Sequence, residues 1–376
     1  MEFQYYLPVN LIFGRGKVSE LGARTARYGH KALIVTGKSS TKKSGLLDRA
    51  IALLKEAGVE SAVFDKVEPN PLTTTVLAGA ALAKRENCDV VIGLGGGSIM
   101  DAAKGIAFMT VNDGDVSDYI FNKKHSENAL PLVLVPTTCG TGSEGNGFAV
   151  LSNPGNGDKK SLRCHAIIAK ESIIDPDLMK TMPKPVLASV GFDALCHNME
   201  GYLSAASQPL TDMMALEAIR LIAENLPRVY GDPSDNEAWE KVTFASTLGG
   251  MVINTTGCVA PHGMEHPASG LRNIVHGRGL AALTPVVFEE SIAGAPKKFA
   301  VISRLLGGKD EKDCAGQVRA FLSKIDLRTT LGEQGIKEED IGWMAENCLK
   351  VSAGTLKNSP VVFGPEDLKR IYRKAL

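Results

Sequence analysis

DVVIGLGGGSIMDAAK, residues 89–104, is the stretch on which the fold turns. Val90, Val91, Ile92 and Leu94 form an apolar run that enters Gly95, Gly96 and Gly97. The chain leaves the glycines as SIMDAAKGIAFM, with helical periodicity. Backbone without Cβ can approach a pyrophosphate closely, and free N–H groups at a helix N-terminus suit an anion. Ser98 and Asp101 make an S-x-x-D pattern expected to cap that helix. The common dinucleotide fingerprint follows the first strand of its fold, whereas these glycines follow the third candidate strand. Taken alone, G-x-G-G-G-S is therefore a weak motif. A capped turn with no ligand explains it equally well.

The neighbouring segments decide its setting. KALIVTG (31–37) and SAVFDKV (61–67) read as strands. GLLDRAIALLKEAG (45–58) and TTTVLAGAALAKREN (73–87) read as helices between them. LPLVLVPTT (130–138) is a further strand, ending on a Pro-Thr-Thr turn, and YYLPVNLIFGRG (5–16) reads as extended chain. Nearly all-apolar strands alternating with helices predict a parallel sheet covered on both faces. In PTTCGTGSEG, hydroxyls at Thr137, Thr138, Thr141 and Ser143 stand at the carboxyl end of a strand, where open α/β sheets bind ligands. Pro176, Pro183 and Pro185 mark a boundary, and the segments beyond it read almost entirely as amphipathic helices. The expected organisation is an α/β domain over 1–180 and an all-helical domain over 181–376.

Bulk composition narrows the function. Lys+Arg and Asp+Glu both number 42, so no basic excess exists to displace counterions from a nucleic acid. No apolar run reaches the ~18 residues of a membrane span. MEFQYYLPVN has an acid at Glu2 and no basic stretch, so no signal peptide is expected. The seven cysteines are irregularly spaced and never C-x-x-C. They read as buried thiols of a cytoplasmic protein, not as disulfides or a thiolate metal site.

Chemistry concentrates in two segments of the second half. Asp193 and His197 lie four apart in GFDALCHNMEG, which puts them on one side of a helix. His262 and His276 lie fourteen apart in PHGMEHPASGLRNIVHG, with His266 between them, among glycine- and proline-broken turns. One histidine on a helix is usually a satisfied core or surface residue. One carboxylate with three imidazoles is instead a set suited to iron(II) or zinc.

GGGSIMDAAK, PTTCGTGSEG, GFDALCHNMEGY and PHGMEHPASG with VHG beyond it resemble the iron-containing (group III) alcohol dehydrogenase family, over nearly the whole chain and in the same order. The likeness extends to the branch of butanol dehydrogenases and broad aldehyde reductases. It implies a dehydroquinate synthase-like architecture, with a dinucleotide-binding α/β domain, a helical domain and a metal in the cleft between. It implies metal ligation by Asp193, His197, His262 and His276. Gly95, Gly96, Gly97 and Ser98 would hold the pyrophosphate, with Asp101 on the same turn. Thr137, Thr138 and either Lys159 or Lys160 would lie along the cofactor, and Leu178 near its adenosine. His266 would stand by the nicotinamide without binding metal. Many members have a small residue where Glu265 stands and a proline where Val275 stands. Both departures are expected at the site's periphery, where they bear on substrate identity.

The implied reaction is hydride transfer between a small primary alcohol or aldehyde and a nicotinamide. Glycerol dehydrogenase-like and dehydroquinate synthase-like enzymes share the architecture and are the alternatives. The expected cofactors are Fe2+, with Zn2+ as the alternative, and NADP in preference to NAD. At the end of KALIVTG stand Gly37, Lys38, Ser39 and Ser40, and no carboxylate follows before Asp48 to meet a ribose 2′-hydroxyl. A homodimer is expected, with the apolar YYLPVNLIFG segment as the edge a partner would cover.

Overall fold

The computed structural model describes residues 2–376. Its strands are β1 (Asn10–Phe13), β2 (Lys31–Gly37), β3 (Glu60–Val67), β4 (Val90–Gly95), β5 (Leu132–Pro136), β6 (Phe148–Ser152), β7 (Lys159–Arg163) and β8 (Glu171–Ile174). Six of them form one sheet in the order β1-β8-β5-β4-β2-β3, with every pairing parallel. The crossover helices are α1 (Leu46–Glu56), α2 (Thr73–Arg85) and α3 (Gly97–Val111).

The unbroken apolar strands follow from burial on both faces. In β2, Ala32 and Ile34 pack with Leu47, Ala50 and Leu54 of α1. Leu33 and Val35 point the other way, into α2 and α3, with Val76, Ala80, Met100 and Ile106. β3 lies on one side of β2 and β4 on the other, so the strand order reverses between β2 and β4. Open α/β sheets bind ligands outside the carboxyl ends of strands at such a reversal. The third strand of the alternation thus brings its glycines to the crevice, although it is not the first strand of the chain.

Two features were not anticipated. β8 is a four-residue strand inserted between β1 and β5, just ahead of the prolines read as a boundary. β6 and β7 form a separate antiparallel hairpin.

Every element after β8 is helical. The longer ones are α4 (Lys184–Leu203), α5 (Pro209–Gly231), α6 (Asn236–Thr256), α7 (Ala260–Arg272), α8 (His276–Ser291), α9 (Pro296–Leu305), α10 (Cys314–Lys324), α11 (Ile341–Val351) and α12 (Pro365–Ala375). α4 is buried nearly all round; Phe192, Leu195 and Met199 pack with α5, α6, α9 and α10. α7 and one side of α8 form a second core with α11 and α12. Among the described residues, no single helix is long and apolar enough to cross a membrane.

Candidate active site

The glycine turn is built by close approach. α3 begins at Gly97, with Gly96 as its N-cap and no side-chain cap. The S-x-x-D cap therefore does not form. A Cβ on Gly97 would lie 2.3 Å from Thr141 Cγ2, so only glycine lets the Thr-rich loop lie against the turn. Thr137 N donates to Gly95 O at 3.0 Å, and Thr138 lies over Gly96. Gly37, at the end of β2, flanks the same crevice. A pocket of about 130 Å³ opens beside it, lined by Ser40, Thr41, Arg49, Thr137, Leu178 and Thr181. Ser39 caps the short helix Ser40–Lys43 by backbone alone, without a side-chain bond.

Asp101 belongs to another structure. Its Oδ1 accepts from Ser143 Oγ at 2.7 Å and its Oδ2 from Val150 N at 2.9 Å. Lys104 is fully buried one turn on, and its Nζ donates to Ser143 O, Ser143 Oγ, Asn146 Oδ1 and Phe148 O at 2.7–2.9 Å. Burial pushes the Lys104 ammonium down to about 8, against the pull of Asp101 and then Glu144. This network fixes the threonine loop and the hairpin to α3, and Asp101 is not turned toward the crevice.

The lysine pair divides as strand alternation requires. Lys160 donates to Val351 O at 2.6 Å, on α11, and so does not lie along the crevice. Lys159 is buried in the cleft, with Nζ 3.0 Å from Asn70 Oδ1 and 3.5 Å from Glu265 Oε2.

α4 presents Asp193, His197 and Glu200 at i, i+4 and i+7, a polar stripe on an apolar helix. His262 and His266 lie inside helix α7, not in broken turns, and His276 opens α8. α7 tolerates Pro267 because the carbonyl left without its helical donor, Gly263 O, accepts from Cys348 Sγ at 3.2 Å. Asp193 Oδ1 stands 3.3 Å from His262 Nε2 and 3.6 Å from His276 Nε2. Asp193, His262 and His276 can offer three ligand atoms within 4.8 Å of one another. His197 stacks on His262 with ring centroids 4.5 Å apart, its Nδ1 3.3 Å from Gly140 O and 3.7 Å from Asp193 Oδ1. Its ring stands beside the trio. His266 is further out, its ring 6.5 Å from His262 and 6.0 Å from His276.

Two carboxylates stand behind the imidazoles, and the sequence reading had given neither this role. Glu200 Oε1 lies 2.7 Å from His262 Nδ1, and its Oε2 accepts from Val259 N at 2.9 Å. Glu265 Oε2 touches His276 Nδ1. Glu265 is wholly buried and so is not peripheral. The i+7 position of Glu200 and the i+3 position of Glu265 relative to His262 were signals that could have marked them. Cys258 also departs from expectation. It is only half-buried, and its thiol can come within 4.8 Å of His197 and His262 nitrogens.

Electrostatics follow from this crowding. Burial alone would raise Asp193, but His197, then His262 and His276, outweigh it and hold the carboxyl well below its usual range. Burial pushes His197 down to about 4, against the attraction of Asp193. Burial likewise holds His266 well below its ordinary value, reinforced by the Lys159 charge.

The arrangement fits a divalent cation on two counts. Asp193 Oδ1 and His262 Nε2 are buried, face each other, and have no hydrogen-bond partner among the described residues. Buried groups in that state mark a missing partner. Second, the buried carboxylates of Asp193, Glu200 and Glu265 crowd the imidazoles, and against the cost of burial the neighbouring Cys258 and Glu200 hold His262 well above its ordinary value. A divalent ion can take the place of that proton among the carboxylates. Carboxylates on the outer nitrogens of two imidazoles are the usual support of metal-bound histidine.

Comparison with known proteins identifies the family. The model of the iron-containing alcohol dehydrogenases matches residues 8–176, and that of the C-terminal part of the Fe-containing alcohol dehydrogenase family matches residues 187–376. The chain belongs to the iron-containing alcohol dehydrogenase family. A 1,3-propanediol dehydrogenase of Klebsiella pneumoniae is 36% identical, with 99% of this chain and 98% of that protein aligned. An NAD-dependent methanol dehydrogenase of Bacillus methanolicus is 30% identical over 99% of both. Among solved structures, an archaeal halo-thermophilic alcohol dehydrogenase from a Red Sea brine pool superposes with a TM-score of 0.96 at 36% identity, covering 100% of this chain and 99% of that one. As in these iron-containing dehydrogenases, a parallel-sheet half precedes a helical half.

Proposed function

We propose that this family member oxidises a small primary alcohol, or reduces the matching aldehyde, with a nicotinamide cofactor and one divalent metal. The observation that carries the reading is the buried Asp193–His262 pair without hydrogen-bond partners, in a cluster with three buried carboxylates. Asp193, His197, His262 and His276 would hold the ion, iron(II) by family and zinc as the alternative. When bound, the ion supplies a Lewis acid for the substrate oxygen. Glu200 orients His262 and leaves its Nε2 free to face Asp193, whereas the Gly140 carbonyl and Asp193 both lie beside Nδ1 of His197. Gly95, Gly96, Gly97 and Ser98 would receive the pyrophosphate on the N-terminus of α3, with Thr137, Thr138 and Leu178 along the cofactor and Lys159 near its nicotinamide end. His266 lines the cleft beside His276 and would serve the proton of the reacting oxygen without binding the ion. Cofactor-dependent oxidation of a panel of short alcohols, with metal analysis on one anaerobic preparation, tests the reading. A metal-loaded protein that reduces no cofactor with any of them would overturn it.

NADP is the favoured cofactor. Gly37 leaves room for a 2′-phosphate, Ser39 has no cap bond, and Lys38 and Lys43 have no ion-pair partner among the described residues. Lys42 is already paired with Asp65, which reaches the crevice edge from β3. Comparing kcat/KM for both cofactors, Gly37→Asp should shift the ratio toward NAD by about tenfold. A wild-type preference for NAD would refute this assignment.

The dehydroquinate synthase-like alternative needs several free cations around its substrate. Against it, Arg272 is paired with Asp340 and Arg278 donates to Thr329. The homodimer is proposed at the edge strand β1, near the exposed Phe3, Tyr6 and Phe13. Sedimentation as a monomer of 39.9 kDa would contradict it.

A further inference from the structure

We propose that Glu265 is a positioning residue for His276, and that Lys159, from the other half of the molecule, holds Glu265 in place. The inference rests on the metal reading above only in taking His276 as a ligand.

The geometry is specific at each atom. Glu265 Oε2 touches His276 Nδ1, the ring nitrogen on the far side from Asp193. The same Oε2 lies 3.5 Å from Lys159 Nζ, and Oε1 accepts from Ser269 Oγ one turn along α7. Space for the carboxylate is made by α8. A Cβ on Gly279 would fall 2.8 Å from Glu265 Cγ. The group is therefore clamped on three sides and wholly buried.

Lys159 extends the clamp across the cleft. It stands on the hairpin of the α/β half and also donates to Asn70 Oδ1 at 3.0 Å. Asn70 Nδ2 donates in turn to Asn273 Oδ1 at 2.8 Å, in the link that leads to His276. Residues 70 and 159 of one half thus grip both the carboxylate behind His276 and the chain just before it. A buried carboxylate without a cation is costly, so Lys159 is the group that lets Glu265 remain charged against the ring. An acceptor on the outer nitrogen fixes which nitrogen faces the metal and how the ring is turned. His276 is a quarter exposed, against a few per cent for His262, so its ring is the less confined by packing. It is the ligand that most needs such a support.

Cobalt(II) binding by competition with a chelator, and the visible spectrum of the cobalt form, test this without any turnover and without nicotinamide. Glu265→Ala should weaken cobalt(II) binding by about 10- to 100-fold and alter the spectrum. Glu265→Gln should recover most of that loss. Its amide oxygen can take the place of Oε2 against His276 and Lys159, and its amide nitrogen can donate to Ser269 Oγ. Because Glu265→Ala strands a buried ammonium, the double variant Glu265→Ala/Lys159→Met keeps the test alive if the single one does not fold. Lys159→Met should weaken binding in the wild-type background and have no further effect beside Glu265→Ala. Unchanged affinity and spectrum in folded Glu265→Ala or the double variant would overturn the proposal. So would a Lys159→Met effect of equal size in both backgrounds. If wild-type protein binds no cobalt, the metal reading itself fails, which is a separate result.

Discussion

Two buried polar clusters lie on either side of the threonine loop, and they are finished differently. Around Lys104, both oxygens of Asp101 and the ammonium itself have hydrogen-bond partners. Around Asp193, one carboxylate oxygen and the nearest imidazole nitrogen have none among the described residues. Both clusters are buried and charged. In the first, those atoms are satisfied within the protein, and only the neighbouring Glu144 Oε2 is left over, so we read it as architecture. The second leaves a carboxylate oxygen and an imidazole nitrogen facing each other without partners, which is why we propose it as the cation site. Lys104 on its own would read as a functional anomaly, a buried lysine pushed down to about 8. Its complete set of partners is what classifies it.

The sharpest way to break this contrast is to truncate each cluster. His276→Ala should strip the metal and lower turnover by more than about 10³-fold, the scale of a Lewis acid worth several kcal/mol. The variant should melt close to the metal-free wild type, so that its loss of metal is not a loss of fold. Full metal occupancy in His276→Ala would show the ligand assignment to be wrong. Lys104→Met should do the opposite. It should cost about 3 kcal/mol of stability, measured by denaturant titration, because it breaks a buried charged network. Metal content per folded chain should stay at the wild-type level. A stable Lys104→Met protein that fails to bind metal would dissolve the distinction.

His266→Ala sharpens the comparison inside the cleft. It should keep its metal and lose about 10²-fold in kcat, the size of one proton-transfer group. Loss of metal before loss of turnover would make His266 a ligand or a support for one.

Part of this was legible in the sequence, and the physical reasons are particular. The i, i+4 spacing of Asp193 and His197 is local helical geometry, so it needs no tertiary knowledge. Helix α7 was misread as broken turns because Pro261 and Pro267 were counted as breakers. Pro261 sits in the first turn, where it costs nothing, and the Cys348 thiol compensates the carbonyl that Pro267 leaves free. Lys159 could not be told from Lys160, since period-two alternation needs a register and the hairpin itself had gone unseen. β8 is too short to carry a pattern, and it is a strand because β1 and β5 pair with it. Glu265 looked peripheral because its contacts with Lys159 and His276 come from elements far apart in the chain or across a helix break.

The smallest expected effect is a pH slope. Lys104 binds its proton less tightly in the folded than in the unfolded chain, so between about 8 and 10.5 the unfolded state carries more protons. Stability of the metal-free protein should therefore gain from this group as pH rises through that window, by up to about 1.4 kcal/mol per pH unit. Lys104→Met should lack this contribution. Equal slopes in both proteins would mean that the network does not hold the lysine as described.

Anomalous diffraction at the iron edge, from crystals of the anaerobically loaded protein, tests the central claim most directly. The account predicts one peak per chain, within about 2.0–2.2 Å of Asp193 Oδ1 and of Nε2 of His262, His276 and His197, with the His197 ring drawn in to complete the set. An ion seated on Cys258 with His197 and His262, or no peak beside Asp193, would contradict it.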